Sequence, residues 1–194
     1  MKNTWFFAFF LITSSIFAQT NQQINIYDYF PAKNGQIRKY VDQNGQEIVT
    51  ETVRMTDSER AFIFVTEKTF KGSPTAITFY SIETNNKVYI ALIRNPFGER
   101  KPVDYIILDV PGRSWQYKEG TEITFFESSR SSVTVAGKNY ADCILVSERT
   151  QYYEGRTLVE KKKRIYYAKG YGPVYEEIYS EEKGWYFNSR IILE

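Results

Sequence analysis

Histidine is absent from this chain, and cysteine occurs once, as Cys143. The first absence removes the commonest general base and the commonest metal ligand. It also excludes Ser-His-Asp and Cys-His nucleophile arrangements. The second excludes an internal disulfide. No stretch spaces acidic residues as a calcium loop does. Gly170-Tyr171-Gly172 lacks the third glycine, and the following helix, of a phosphate-binding loop. The sequence therefore assigns no catalytic residue, no metal ligand and no cofactor-binding residue, and the chain is expected not to be an enzyme. Cys143 sits in the apolar run Tyr140-Ala141-Asp142-Cys143-Ile144-Leu145-Val146 and reads as a buried, inert thiol.

Strong charge of either sign is also missing. The formal net charge is +2, with 25% charged and 42% hydrophobic residues. That balance suits a globular domain and predicts no general attraction to nucleic acid or anionic membrane. Paired carboxylates are the one hydrolytic option left, as in glycosidases. Glu176-Glu177 would point to opposite faces of a strand, and Glu181-Glu182 falls in a turn, so both read as solvated charge. The basic run Lys161-Lys162-Lys163-Arg164 is split by strand alternation, Lys161 and Lys163 facing one way and Lys162 and Arg164 the other. Glu176 and Glu177 on the next strand are expected to pair with it.

One long apolar run is present, near the start. Met1-Lys2-Asn3 precedes Trp5-Phe6-Phe7-Ala8-Phe9-Phe10-Leu11-Ile12, and the small and polar Thr13-Ser14-Ser15 then leads through Ile16-Phe17 to Ala18. This is the three-part plan of a secretory signal, with cleavage expected after Ala18. The run is shorter than the ~20 residues that span a bilayer, so no transmembrane anchor is expected. Gln19 after the cut excludes lipid attachment to a mature N-terminal cysteine. Residues 19–194 read as a single domain, periplasmic or secreted.

That domain is rich in strand signals: 16 tyrosines, 14 phenylalanines and turn cues at about 8–12-residue intervals. Asp42-Gln43-Asn44-Gly45, Lys71-Gly72-Ser73-Pro74 and Glu83-Thr84-Asn85-Asn86 each separate two strand-like runs. Thr121–Glu127 and Ser132–Ala136 read as two short strands, and 94–102 has room for a single helical turn. The fold class is all-β: an antiparallel barrel or sandwich of about ten or more strands. Ala61-Phe62-Ile63-Phe64-Val65 and Val88-Tyr89-Ile90-Ala91-Leu92-Ile93 are apolar on both faces. One-sided antiparallel strands would alternate. Core packing accounts for such runs, and so does a concave face holding an apolar ligand, for which Phe62, Phe64, Tyr89 and Ile90 are the lining candidates.

Three segments carry a resemblance. They are Tyr29-Phe30-Pro31 with Gly35 and Tyr40; Leu108-Asp109-Val110-Pro111-Gly112-Arg113-Ser114-Trp115 with Val133-Thr134-Val135-Ala136-Gly137-Lys138-Asn139-Tyr140-Ala141-Asp142-Cys143; and Tyr166-Tyr167-Ala168-Lys169-Gly170-Tyr171-Gly172-Pro173-Val174. Together they resemble a group of exported bacterial β domains and lipoproteins without an assigned activity. The resemblance implies a curved antiparallel sheet, a half-barrel like those of periplasmic lipoprotein carriers. The functional expectation is an exported, non-enzymatic domain binding an envelope protein, a glycan or another partner. The alternatives are a carrier of a lipid-like apolar ligand on a concave β face and, more remotely, a carboxylate-based glycan hydrolase.

Overall fold

The computed structural model of the chain describes residues 24–31, 33–56, 61–69, 74–83, 86–94 and 100–192. For 53–56, 61–69, 74–77, 83, 91–94 and 100–104 it gives strand placement only. The expected secretory signal, residues 1–18, and residues 95–99, where the sequence has room for a helical turn, lie outside the described residues.

Among the described residues twelve strands form one antiparallel sheet: β1 Gln36–Asp42, β2 Glu47–Thr56, β3 Ala61–Thr69, β4 Pro74–Glu83, β5 Lys87–Arg94, β6 Arg100–Leu108, β7 Ser114–Glu119, β8 Glu122–Val135, β9 Lys138–Glu154, β10 Thr157–Ala168, β11 Gly172–Ser180 and β12 Gly184–Ile191. The spatial order is β6-β5-β4-β3-β2-β1-β12-β11-β10-β9-β8-β7. Each strand pairs with its successor in sequence except at β6 and β7, and β12 returns to β1 through Tyr40–Ile191, Val41–Arg190 and Asp42–Ser189. The result is a strongly curved meander that does not close into a barrel. Register irregularities at Phe79/Tyr80, Ser131/Val133, Tyr166/Tyr167 and Glu176/Glu177 add local twist and bend.

Turn chemistry sets the hairpins. Asp42 Oδ1 accepts from the amides of Asn44 and Gln46 at 2.8 and 2.7 Å, and Gly45 supplies the positive φ the turn requires. Ala136 and Gly137 both take positive φ between Val135 and Lys138, the two-residue geometry that matches strand twist. The expected break between Thr121–Glu127 and Ser132–Ala136 does not occur. Ser128, Ser129 and Arg130 keep their pairing with Val146, Leu145 and Ile144 of β9, so one 14-residue strand runs through. A polar run weakens a strand signal in sequence, but the ladder to β9 supplies the backbone partners regardless of side chain.

The two sheet edges meet at β6 and β7 through side chains. The Trp115 indole donates to the Ile106 carbonyl at 2.7 Å, and its ring stacks on Phe126 at 5.3 Å. Tyr105 packs against Tyr117 at 4.6 Å. The β6–β7 connection is pinned from below by buried Ser128, whose hydroxyl donates to the Val110 carbonyl at 2.6 Å, and by Lys87 beside Asp109 at 3.4 Å.

The main core lies inside the curve. Ile26 of the 3-10 turn Ile26–Asp28 is fully buried with Ile82, Val88, Leu108, Ile144 and Tyr167, residues from both halves of the sheet. The N-terminal segment thus crosses one end of the concavity. The Ile26 amide donates to Asn86 Oδ1 at 2.7 Å, and Asn86 Nδ2 donates to the Ile24 carbonyl. On the other side Tyr29 Oη donates to Asp142 Oδ1 at 2.7 Å, and the Gly170 amide donates to the Asp28 carbonyl at 2.6 Å. A second cluster, Val135, Tyr140, Cys143, Ala168, Val174 and Ile191, forms next to it. Cys143 pairs with Ala168 one step from the Ile144–Tyr167 pair, so the two pairs point to opposite faces and the sheet is buried on both sides there.

Candidate functional site

Directly opposed residues on antiparallel strands share a face. On the concave face this brings Arg38 and Tyr40 of β1 beside Thr50 and Ile48 of β2, and Val146 of β9 beside Ile165 of β10. Two adjoining cavities open on that face, of about 230 Å³ and about 380 Å³. Tyr80, Ile107, Ile165, Tyr167 and Glu176 line both. The smaller is closed at its end by Phe30 and Pro31, where Phe30 meets Tyr80 edge to face at 5.0 Å. The larger extends toward Ile90, Tyr105 and Phe126. Burial pushes the Tyr167 phenol well above its ordinary pKa, so its ring is a neutral wall.

The smaller cavity has a polar corner. Arg38 Nη2 donates to the Pro31 carbonyl and to Gln36 Oε1, both at 2.9 Å. Gly172 lies against the same guanidinium: a Cβ there would stand 3.7 Å from it. Burial lowers the pKa of Arg38, and neighbouring Tyr40 opposes that shift more weakly. Thr50 and Thr52 complete the corner, and the buried Thr52 Oγ1 has no hydrogen-bond partner among the described residues. Ile37, next to Arg38, is 61% exposed. In this part of β1 the charged residue faces in and the apolar one faces out.

A second polar group stands in the larger cavity. Lys163 Nζ pairs with Glu148 Oε2 at 2.8 Å, and Glu176 accepts from Asn188 Nδ2. Burial pulls the Lys163 ammonium down, but the Glu148 and Glu176 carboxylates outweigh it and its pKa is raised. The sequence reading paired this basic run with Glu176 and Glu177. The register does set Glu177 opposite Arg164 on β11, but Lys163 faces Ile178 there and takes its ion pair from Glu148, opposite it on β9. Glu177 sits on the opposite face from Glu176 and accepts from Tyr166 Oη at 3.4 Å.

Of the four lining candidates, Ile90 lines the larger cavity. Tyr89 is its strand neighbour and alternates to the other face. The backbone register sets Phe62 against Ser81 and Phe64 against Phe79; the side chains of Phe62 and Phe64 lie outside the described residues. The cavity residues missed in sequence are chiefly Arg38, Tyr80, Ile107, Ile165 and Tyr167. Their shared signal is position on alternating strands, which becomes visible only once the register is known.

The outer face carries a transverse row. Phe125 opposes Arg149, Arg149 opposes Lys162, and Tyr179 opposes Trp185. The cations cover the rings: Arg149 lies 4.7 Å from the Phe125 centroid, Lys162 5.1 Å from Tyr179, and Arg164 3.9 Å from Trp185. Glu160 accepts from Lys162 at 2.9 Å and lies 3.5 Å from Arg149. Long cationic stems thereby mask aromatic surface from water.

No family model matches the chain. In fold it is similar to a candidate lipoprotein from Parabacteroides distasonis, with a TM-score of 0.50 and 14% identity over 86% of this chain and 96% of that one. It is also similar to a candidate exported protein with a YmcC-like fold from Bacteroides fragilis, with a TM-score of 0.53 and 12% identity over 83% and 95%. Such identities establish likeness of fold alone. In sequence, 89 residues are 34% identical to mouse guanine deaminase, covering 45% of this chain and 20% of that enzyme. The human guanine deaminase matches at 32% over 85 residues, 43% and 19%. The chain spans about a fifth of the length of the curated relatives it matches, and a match of that extent does not bear on whether it is an enzyme.

Proposed function

We propose that this chain is an exported, non-enzymatic binding protein whose concave face receives an apolar, lipid-like ligand. The observation that carries the reading is the pair of adjoining cavities walled by Tyr80, Ile107, Ile165 and Tyr167. Small-molecule sites are concave, mostly apolar and furnished with few polar groups, and this face fits that description. Export is supported by the hydrophobic start of the chain and by the descriptions of the two fold neighbours as a candidate lipoprotein and a candidate exported protein.

Titration with the neutral fluorophore N-phenyl-1-naphthylamine tests the binding claim. Wild-type protein should give saturable fluorescence enhancement that decanol displaces. Ile165→Trp, which fills the shared wall, should remove it. Enhancement that fails to saturate, or that survives Ile165→Trp unchanged, defeats the reading. Export is tested by the mass of the protein recovered from the periplasm or medium, expected to begin at Gln19.

A second reading, docking of an envelope protein or glycan on the outer face, draws on the row Phe125, Arg149, Lys162, Tyr179 and Trp185. A Trp185→Ala, Tyr179→Ala double variant that loses a partner retained by Ile165→Trp would favour it.

A further inference from the structure

The polar corner of the smaller cavity narrows the ligand class. We propose that Arg38, with Thr52, reads the carboxylate head of a single-chain amphiphile whose tail lies along Tyr80, Ile107, Ile165 and Tyr167. The proposal rests on the concave-face binding reading and adds a head group to it.

Three observations carry it. The first is the inverted polarity of β1: Ile37 is exposed while Arg38 lines an otherwise largely apolar cavity. At that pair of positions burial of the apolar side chain and exposure of the charged one would be the ordinary outcome, and departures of this kind concentrate at functional sites.

The second is the hydrogen-bond inventory of the guanidinium. It has five N–H donors in a planar fork. The bonds to Pro31 and Gln36 engage Nη2 and hold the group in place. No carboxylate of the described residues lies within ion-pair distance of it, and the charge that bears on its pKa is that of Tyr40. A half-buried guanidinium keeping Nη1 and Nε donors is matched to a planar carboxylate. Glu176 lines the same cavity, but its carboxylate is engaged by Asn188, and Lys163 offsets its charge.

The third is Thr52, which lines the same cavity, is 1% exposed and has a buried hydroxyl with no hydrogen-bond partner among the described residues. Buried polar groups in folded proteins nearly always have partners. Thr52 neighbours Arg38 through the register, opposing Gln36 while Thr50 opposes Arg38. A ligand oxygen between them would satisfy both groups.

Competition against bound N-phenyl-1-naphthylamine tests this with decanoate, decanol and acetate. Decanoate should displace the probe at about tenfold lower concentration than decanol, the scale of a hydrogen-bonded charge interaction. Acetate should not compete in the same range. Arg38→Gln should abolish the preference for decanoate, while decanol still displaces the probe from it. Thr52→Val retains the side chain's shape and removes the orphan hydroxyl, so it should melt no lower than wild type while binding decanoate more weakly. That variant carries the test if Arg38→Gln does not fold. Equal displacement by decanoate and decanol, or a preference that survives both substitutions, overturns the proposal while the apolar cavity stands. Competition by acetate at decanoate concentrations overturns the amphiphile assignment. A probe that never binds, or that decanol never displaces, points instead to failure of the concave-face reading.

Discussion

At Cys143 the side chain is 1% exposed, its thiol lies 3.3 Å from the Tyr140 carbonyl it donates to, and burial pushes its pKa up to about 11. The thiolate is the reactive species, so the native thiol should be inert. With Ellman's reagent at pH 8, the folded protein is expected to show almost no reaction, and one thiol per chain should appear on addition of guanidinium. Rapid labelling of the folded protein would contradict the burial. This residue was legible in sequence because the run that continues from it, Ile144-Leu145-Val146, is apolar on both faces. Arg38 was not. Along β1 the inward set Gln36, Arg38 and Tyr40 and the outward set Ile37, Lys39 and Val41 each mix polar with apolar residues. The pattern alone therefore leaves the facing undecided. Pairing with Thr50 and Thr52 of β2 decides it.

At the scale of elements, the N-terminal segment works as a strap across the end of the curved sheet, and Asn86 is its anchor on the β4–β5 side. Asn86 adopts φ of 67°, a left-handed conformation that asparagine tolerates and glycine prefers. Asn86→Gly therefore keeps the turn and removes both bonds to Ile24 and Ile26. The expected cost is about 1–3 kcal/mol, two hydrogen bonds partly repaid by water, read from urea unfolding. An unchanged midpoint would mean that the strap is held by Ile26 packing alone. Truncation of that packing, Ile26→Ala, is expected to cost about 2–5 kcal/mol, since Ile26 is fully buried between the two halves. None of this was readable from sequence. A three-residue 3-10 turn has no periodicity to detect, and its partners lie some 60 to 140 positions away, at Asn86, Asp142 and Gly170. The strands themselves were more accessible, because Asn-Gly, Glu-Gly and Gly-Pro punctuation marks their ends. The exception, the single strand β8, shows what overrides composition. Ser128–Ser131 reads as a break, yet long-range pairing with β9 keeps it extended.

For the whole molecule, the antiparallel all-β class and the rough strand number followed from local turn cues and the curvature from the resemblance, whereas the form of closure did not. The sheet joins β12 to β1 and leaves β6 and β7 meeting through Trp115, Tyr105 and Tyr117, a choice set by geometry at the two ends of the meander. The same enclosure fixes how stability should depend on pH. Without histidine no side chain has an ordinary pKa between about 5 and 8, so stability should be nearly flat around neutrality. At high pH the tyrosines take over. Burial, the largest cause in each case, raises the pKa of Tyr29, Tyr140, Tyr166, Tyr167 and Tyr175 in the folded protein. Unfolded phenols ionise near pH 10. Above that pH the unfolded chain has released protons that the folded chain still holds, so it binds fewer, and the stability falls as pH rises. The contribution is present in full below about pH 10 and is lost as pH rises through the higher folded values. Raised Lys163 acts in the same direction. Urea midpoints should therefore agree at pH 8 and 9 and drop steeply by pH 11, and absorbance at 295 nm should show a group of phenols ionising only together with unfolding. If all 16 tyrosines titrated near pH 10 with the sheet intact, the enclosed aromatic interior would be contradicted. The concave face would then be open to water along its length, and a neutral wall of Tyr167 beside a cationic corner at Arg38 would no longer describe it.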